Sequence, residues 1–328
     1  MTGAHAARNV APLLSAEFPL KGAQTGSTLT LRPLLCAEVL MPSNWFHRRP
    51  GIMETLKGFG IGVSAAGLME IPIPAFLLEH PSAGLVLVDT GMLGSIATGG
   101  LRERMHNLGP IGQLMSRHAH MQPEQAVSAQ LRALGIDSRD IGLVVMTHLH
   151  FDHASALCDF PDATVLVSAP EWQAAWSRGS SMHGYWTAQF DPRPRYRTVD
   201  FSAPPTATRG PFEHTIDLFG DDSLTLVSTP GHTLGHLSLI ARLDGCEALL
   251  VGDAAYTIAT IREGERPMRI EDLEAYEHSL SQIQRYDQEN PDALIVPGHD
   301  MGAWRSVCAR LSGGAPNSET PPSHQSGG

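Results

Sequence analysis

The segment HLHFDH, residues 148–153, places three histidines and one aspartate in six positions, directly after the apolar run GLVVMT. Imidazole and carboxylate at this density form the donor set of a metal site. In an extended chain side chains alternate with period two, so His148 and His150 point the same way. Asp152 and His153, adjacent where the chain turns, can diverge toward a second ion. One short segment then supplies part of two sites, and the remaining ligands must come from elsewhere in the chain.

Three later apolar runs stop in glycine-containing turns that offer them: LVSTPGHTLGH presents His232, LLVGDAAY presents Asp253 and LIVPGHD presents His299. Taken singly, a His in a GH turn is more often structural, and an Asp after Gly at a strand end is as often a turn residue as a ligand. Taken with HLHFDH, all are explained together by strand ends converging on one edge of a sandwich. Asp89, in VDTG, fits a hydrogen-bonding partner for a ligand imidazole, which metal sites usually need. His236 fits a supporting or packing group better than a ligand, Asp300 is open between the two, and His118 and His120 read as surface residues of an unpatterned stretch.

The elements that must position these residues are short apolar runs: AFLLEH, GLVLVDT, GLVVMT, ATVLVS, LTLVST, LSLIARL, EALLVGD and ALIVPGHD. Several are continuously apolar, as expected of strands buried on both faces. PEQAVSAQLRALGI, with Val127, Leu131 and Leu134, and RIEDLEAYEHSLSQIQRYDQ, with Leu273, Tyr276, Leu280 and Ile283, read as amphipathic helices. The class is α/β, with sheet in the middle and helices outside. Segments 91–121, where LRERMHNL is helix-like, and 178–215, rich in proline, resist assignment and suit the rim of a site. Residues 1–28 read as a flexible arm, 29–312 as a single domain and 313–328 as a disordered Gly/Ser/Pro tail.

The chain has 328 residues, 42% of them hydrophobic, and a formal charge of −11 from 23 Lys plus Arg against 34 Asp plus Glu. That balance, without a basic run, argues against nucleic acid or an anionic membrane as partner. No stretch is long and apolar enough to span a bilayer, and the N-terminus lacks the apolar core of an export signal. Cys36, Cys158, Cys246 and Cys308 are widely spaced and read as reduced thiols of a cytoplasmic protein. A homodimer stays open.

In order, HLHFDH, GHTLGH, GD and GHD resemble the metallo-β-lactamase superfamily over roughly residues 29–310. The resemblance implies a four-layer αββα sandwich with a dinuclear metal site at one edge. It assigns His148, His150 and His232 to one ion, Asp152, His153 and His299 to the other, and Asp253 to both. Zinc suits the donor set best, with iron, manganese and cobalt open. GDAAYT, with Tyr256 three residues after Asp253, Phe151 inside the motif, and IPIPAFLLEHPSAGLVLVDTGM further resemble the N-acyl-homoserine lactone hydrolases and relatives such as pyridoxolactonase. That branch implies attack of a metal-bridging hydroxide on a lactone carbonyl, with a hydrogen bond from Tyr256 and proton transfer by Asp152.

Phe151 is a candidate wall of the substrate pocket. Trp45 and Phe46, in segment 41–60, read either as a lid or as core cover, Tyr256 either as a donor or as a core tyrosine, and 182–190 as a rim. A phosphotriesterase or arylesterase on the same site is the main alternative. A thioesterase of the glyoxalase II kind is disfavoured because ASAL stands where Gly-Gly often follows the motif. A β-lactamase proper and an iron-dependent redox enzyme fit the residues less well.

Overall fold

The computed structural model describes residues 13–21, 24, 26–115, 119–190 and 194–313. The first half of the chain builds one sheet. Its strands are β1 (Thr30–Pro42), β2 (Leu68–His80), β3 (Gly84–Val88), β4 (Ala119–His120), β5 (Leu143–Val145), β6 (Thr164–Ser168) and β7 (Arg195–Val199), ordered β4-β1-β2-β3-β5-β6-β7. The second half builds another from β8 (Ala207–Arg209), β9 (Phe212–Asp217), β10 (Leu224–Ser228), β11 (Leu237–Arg242), β12 (Glu247–Gly252) and β13 (Leu294–Pro297), ordered β13-β12-β11-β10-β9-β8. The helices are α1 (Ser43–Phe46), α2 (Ile52–Gly58), α3 (Ser95–Thr98), α4 (Leu101–Met115), α5 (Val127–Ala133), α6 (Phe151–Ala154), α7 (Ala169–Ala175), α8 (Ile258–Glu263), α9 (Leu273–Glu289) and α10 (Met301–Leu311).

Alternation along single strands shows why the layers form. Leu77 and Leu87 face outward into a core shared with Phe46, Val127, Leu131 and Trp172, while Phe76, Leu78, Val86 and Val88 face inward. The inward set meets Leu226, Leu239, Leu250 and Val296 of the second sheet. On the far side of that sheet, Leu249 and Val251 pack against Tyr276, Leu280 and Ile283 of α9. Helix, sheet, sheet and helix follow one another, and strands covered on both faces need both alternating positions apolar. This is the four-layer αββα sandwich that the resemblance to the metallo-β-lactamase superfamily implies.

The eight apolar runs all form strands. The helical readings hold with two corrections. Leu134 is 47% exposed because α5 ends at Ala133, and Leu273 is 52% exposed because it opens α9 before the helix settles on the sheet. Segment 91–121 is partly helical, with α4 kinked where Gly109 adopts φ 68° ahead of Pro110. Parts of the N-terminal stretch read as a loose arm are docked: Ala16 N–H donates to Thr198 O and Leu20 N–H to Leu218 O, both at 2.8 Å. There the backbone adds to β7 and Phe18 and Leu20 pack on the core between the sheets. The remaining arm positions 1–12, 22, 23 and 25, the tail 314–328, and His118 lie outside the described residues.

Candidate active site

Each site residue follows the C-terminal end of a strand. β5 runs through Met146 and Thr147 into His148 and His150, and the motif then enters the first turn of α6, which carries Asp152 and His153. His232 sits in the connection from β10 to β11, Asp253 follows β12, and His299 lies between β13 and α10. The two sheets are joined here, Leu237 N–H donating to Thr147 O at 2.9 Å. The glycines before the ligands meet tight packing. At Gly231, φ is 131° and a Cβ would stand 2.3 Å from the Tyr276 backbone; at Gly298 it would stand 2.3 Å from Asp253 Oδ1.

All seven expected metal ligands come together, in two groups. In the first, Nε2 of His148 and Nε2 of His232 each lie 3.1 Å from Nδ1 of His150. Asp253 Oδ2 completes it, 3.3 Å from His232 Nε2 and 3.6 Å from His148 Nε2. In the second, Asp152 Oδ2 lies 3.8 Å from His153 Nε2 and 3.7 Å from His299 Nε2. Asp253 Oδ1 faces this group, 3.5 Å from His153 Nε2 and 3.2 Å from His299 Nε2. One carboxylate thus turns an oxygen to each set.

The donors suit a pair of divalent cations. His153 Nε2 and Asp253 Oδ1 are buried with no hydrogen-bond partner, although buried polar atoms are normally satisfied. Five imidazoles and two carboxylates converge in two clusters within which the donor atoms lie no more than 4.8 Å apart. Burial holds His148 and His150 well below the usual imidazole pKa and His232 down at about 3, which leaves their ring nitrogens free to ligate. At His153, burial pulls the same way but is outweighed by Asp253, Asp152 and Asp89, and the pKa is raised. Asp253 is held well below the carboxylate range; burial opposes this, and His299, His153 and His148 overcome it. The second set is an electronegative nook that calls for positive charge.

The supporting bonds fix which nitrogen of each ring faces inward. Asp89 Oδ2 lies 2.8 Å from His153 Nδ1, and the same carboxylate accepts from Thr147 N–H and Oγ1 at 2.8 Å, as its sequence context suggested. Pro72 O lies 3.0 Å from His299 Nδ1, and Thr147 Oγ1 lies 3.0 Å from His148 Nδ1. His236 Nε2 accepts from Asp253 N–H at 3.0 Å, so this histidine braces the shared carboxylate. Asp300 is resolved as the N-cap of α10, accepting from Ala303 N–H at 2.9 Å. His120 is exposed on β4.

A residue that sequence reasoning passed over ties the loops together. Glu171 is fully buried on α7; Oε1 accepts from Leu149 N–H at 2.9 Å and Oε2 from Gly235 N–H at 3.3 Å. It thereby clamps Leu149 of HLHFDH to Gly235 of GHTLGH. Its only sequence signal was a charged letter directly behind an apolar strand, in APEW.

A cavity of about 290 Å³ opens onto both donor sets, touching His150, Asp152, Asp253 and His299. Its walls include Phe151, Tyr256, Trp45, Phe46, Phe59, Met182 and Arg269. Phe46 is 1% exposed and stands edge-on to Tyr256 with centroids 5.3 Å apart, so it serves as wall and core cover at once. The Tyr256 hydroxyl lies 3.3 Å from His232 Nδ1. Of segment 182–190, Met182 and Gly184 reach the cavity while Tyr185 and Phe190 are buried behind it.

Comparison with known proteins agrees with this geometry. The sequence model described as the metallo-beta-lactamase superfamily matches residues 69–299. The N-acyl homoserine lactonase AttM of Agrobacterium fabrum is 33% identical over 241 residues, 72% of this chain and 84% of that protein. Among solved structures, an N-acyl homoserine lactone hydrolase with N-hexanoyl-L-homoserine at its catalytic metal centre superposes with a TM-score of 0.65 at 22% identity, covering 86% of this chain and 97% of the other. AidC, described as a dizinc quorum-quenching lactonase, gives a TM-score of 0.53 at 16% identity over 86% and 90% of the two chains. The chain belongs to the metallo-β-lactamase superfamily, as a hydrolase in which His148, His150, His232 and Asp253, and Asp152, His153 and His299, form two groups that could each hold a metal ion.

Proposed function

We propose that the protein opens the ring of a lactone, with N-acyl-homoserine lactones as the substrate class. The observation that carries this reading is the division of Asp253 between two donor sets at the floor of a largely apolar cavity. His148, His150 and His232 would hold one ion, Asp152, His153 and His299 the other, and Asp253 both. Imidazole and carboxylate donors favour zinc. When bound, the ions polarise a carbonyl and make water nucleophilic at neutral pH. The relative AttM, named a lactonase and similar over most of its length, supports the substrate class.

The chain's own groups do the rest. Burial, followed by the Asp253 charge, keeps the Tyr256 phenol far above its ordinary pKa, so it stays a donor at neutral pH. It can therefore hydrogen-bond the carbonyl oxygen as that atom gains charge. Asp152, 17% exposed in its side chain and facing the cavity, can take the proton of the attacking water and pass it to the leaving alkoxide. Phe151 and Phe46 form apolar walls that hold the substituent and limit water. Four thiols without a disulfide support a reducing, cytoplasmic setting, and no helix among the described residues is long and apolar enough to cross a membrane.

Proton release from a panel of lactones, carboxylic esters, thioesters and phosphotriesters tests the reading. N-Acyl-homoserine lactones should be opened with the highest kcat/KM. A phosphotriester cleaved by a protein that leaves every lactone intact would sink it.

A further inference from the structure

The cavity holds one polar group that ring opening leaves unused. Arg269 lines it beside His150, Asp253 and Tyr256, and among the described residues of the lining it is the one Lys or Arg. Its Nη2 donates to Glu271 Oε1 at 2.9 Å, and Glu271 Oε2 lies 2.8 Å from His183 Nδ1. The guanidinium is thus tethered between the loop ahead of α9 and the 180–190 rim. Its Nε is buried and has no hydrogen-bond partner, a state that native proteins rarely leave unanswered.

What could answer it follows from the other groups in the cavity. His150, Asp152, Asp253 and His299 belong to the donor sets, and the Tyr256 hydroxyl, 3.3 Å from His232 Nδ1, is the donor assigned above to the ring carbonyl. The remaining walls are mostly apolar. A second polar atom on the substrate would therefore be stranded unless it met Arg269. Glu271 already balances the positive charge, so the spare capacity is an N–H donor seeking an acceptor oxygen, not a cation seeking another anion. We propose that Arg269, held in place by Glu271, is a specificity subsite whose guanidinium hydrogen-bonds the carbonyl oxygen of an amide-type substituent on the ring. The inference rests on the lactonase reading and adds to it the side chain that selects the substituent.

The test pairs an N-acyl-homoserine lactone with a γ-lactone carrying an alkyl group of similar length on the same carbon. The ratio of their kcat/KM values should fall roughly 10- to 100-fold toward unity in Arg269→Met, the span expected for a hydrogen bond from a charged donor. Calorimetric binding of the two ring-opened hydroxy acids reads the same subsite without turnover. The wild type should prefer the amide-bearing acid, and Arg269→Met should not. Should Arg269→Met fail to load two ions, Arg269→Gln, which keeps an amide N–H for Glu271, is read in its place. Undiminished discrimination in the variant, or equal binding of both acids by the wild type, overturns the proposal. A wild type that shows the Arg269-dependent binding preference but opens no lactone would overturn the function and leave the subsite standing.

Discussion

The candidate metal ligands are held by bonds to Asp89, Thr147 and Pro72, which lie outside the cavity lining. Asp89 is the clearest case: it takes two bonds from Thr147, faces His153 Nδ1, and adopts φ 56°, a conformation that aspartate tolerates better than most residues. Asp89→Asn should loosen the ion held by His153, with affinity falling about 10- to 100-fold in a chelator competition. Retention of wild-type affinity would show that the ring is oriented by other means. Tyr256→Phe removes the hydroxyl while preserving the ring stack on Phe46, and kcat should fall by about 10²-fold with KM little changed. An unchanged kcat would reduce Tyr256 to a packing residue. At this scale the two donor groups were legible because histidine and aspartate crowd into one motif and recur at strand ends. Arg269 and Glu171 were not, because an isolated charged letter carries no sign of whether it will be buried.

At the scale of elements, the loops from β5 and β10 are joined through Glu171, whose pKa is raised by burial against the pull of its hydrogen bonds. Glu171→Ala would leave Leu149 N–H and Gly235 N–H buried and unpaired, costing about 2–5 kcal/mol, and Glu171→Gln should cost less. Denaturant unfolding of both variants checks the order, and equal stability to the wild type would remove Glu171 from this role. The apolar strands were readable because both of their faces are covered. β1 escaped notice because Pro33, Cys36 and Glu38 break its pattern. Pro33 is tolerated because, among the described residues, β4 pairs with β1 at Glu38 and Val39 and leaves the Pro33 end unpaired on that side. Pro72 and Pro74 similarly sit in the half of β2 that β3 does not reach, since β3 pairs from Phe76 onward. Pro72 lacks an N–H, yet its carbonyl faces His299, so a residue that reads as a strand breaker helps position a ligand.

At the scale of the whole molecule, the two sheets share a core and are also pinned away from the active site by a buried pair, His80 at the end of β2 and Asp221 before β10, 3.1 Å apart. Burial would raise the Asp221 pKa, but bonds from Ser223 and the neighbouring His80 bring it below the ordinary value. A folded-state pKa below the unfolded one means stabilisation that is complete above the usual aspartate range and fades as pH falls through the folded value. Asp221→Asn should therefore cost about 1–3 kcal/mol near neutrality, with the gap to wild type shrinking in acid; a gap independent of pH would contradict this. Nothing in the separate segments LLEH and GDDS announces such a pairing, because it depends on how the sheets stack. The apolar runs made an α/β arrangement with central sheet legible, because their strands are covered on both faces, and the four layers followed from the resemblance to the metallo-β-lactamase superfamily. The most direct test of the account compares wild type with Asp253→Ser for bound metal and N-acyl-homoserine lactone opening. Wild type should bind two ions per chain and open the ring, and the variant should lose stable two-ion loading together with turnover. A variant that keeps two ions and full turnover would contradict the central claim.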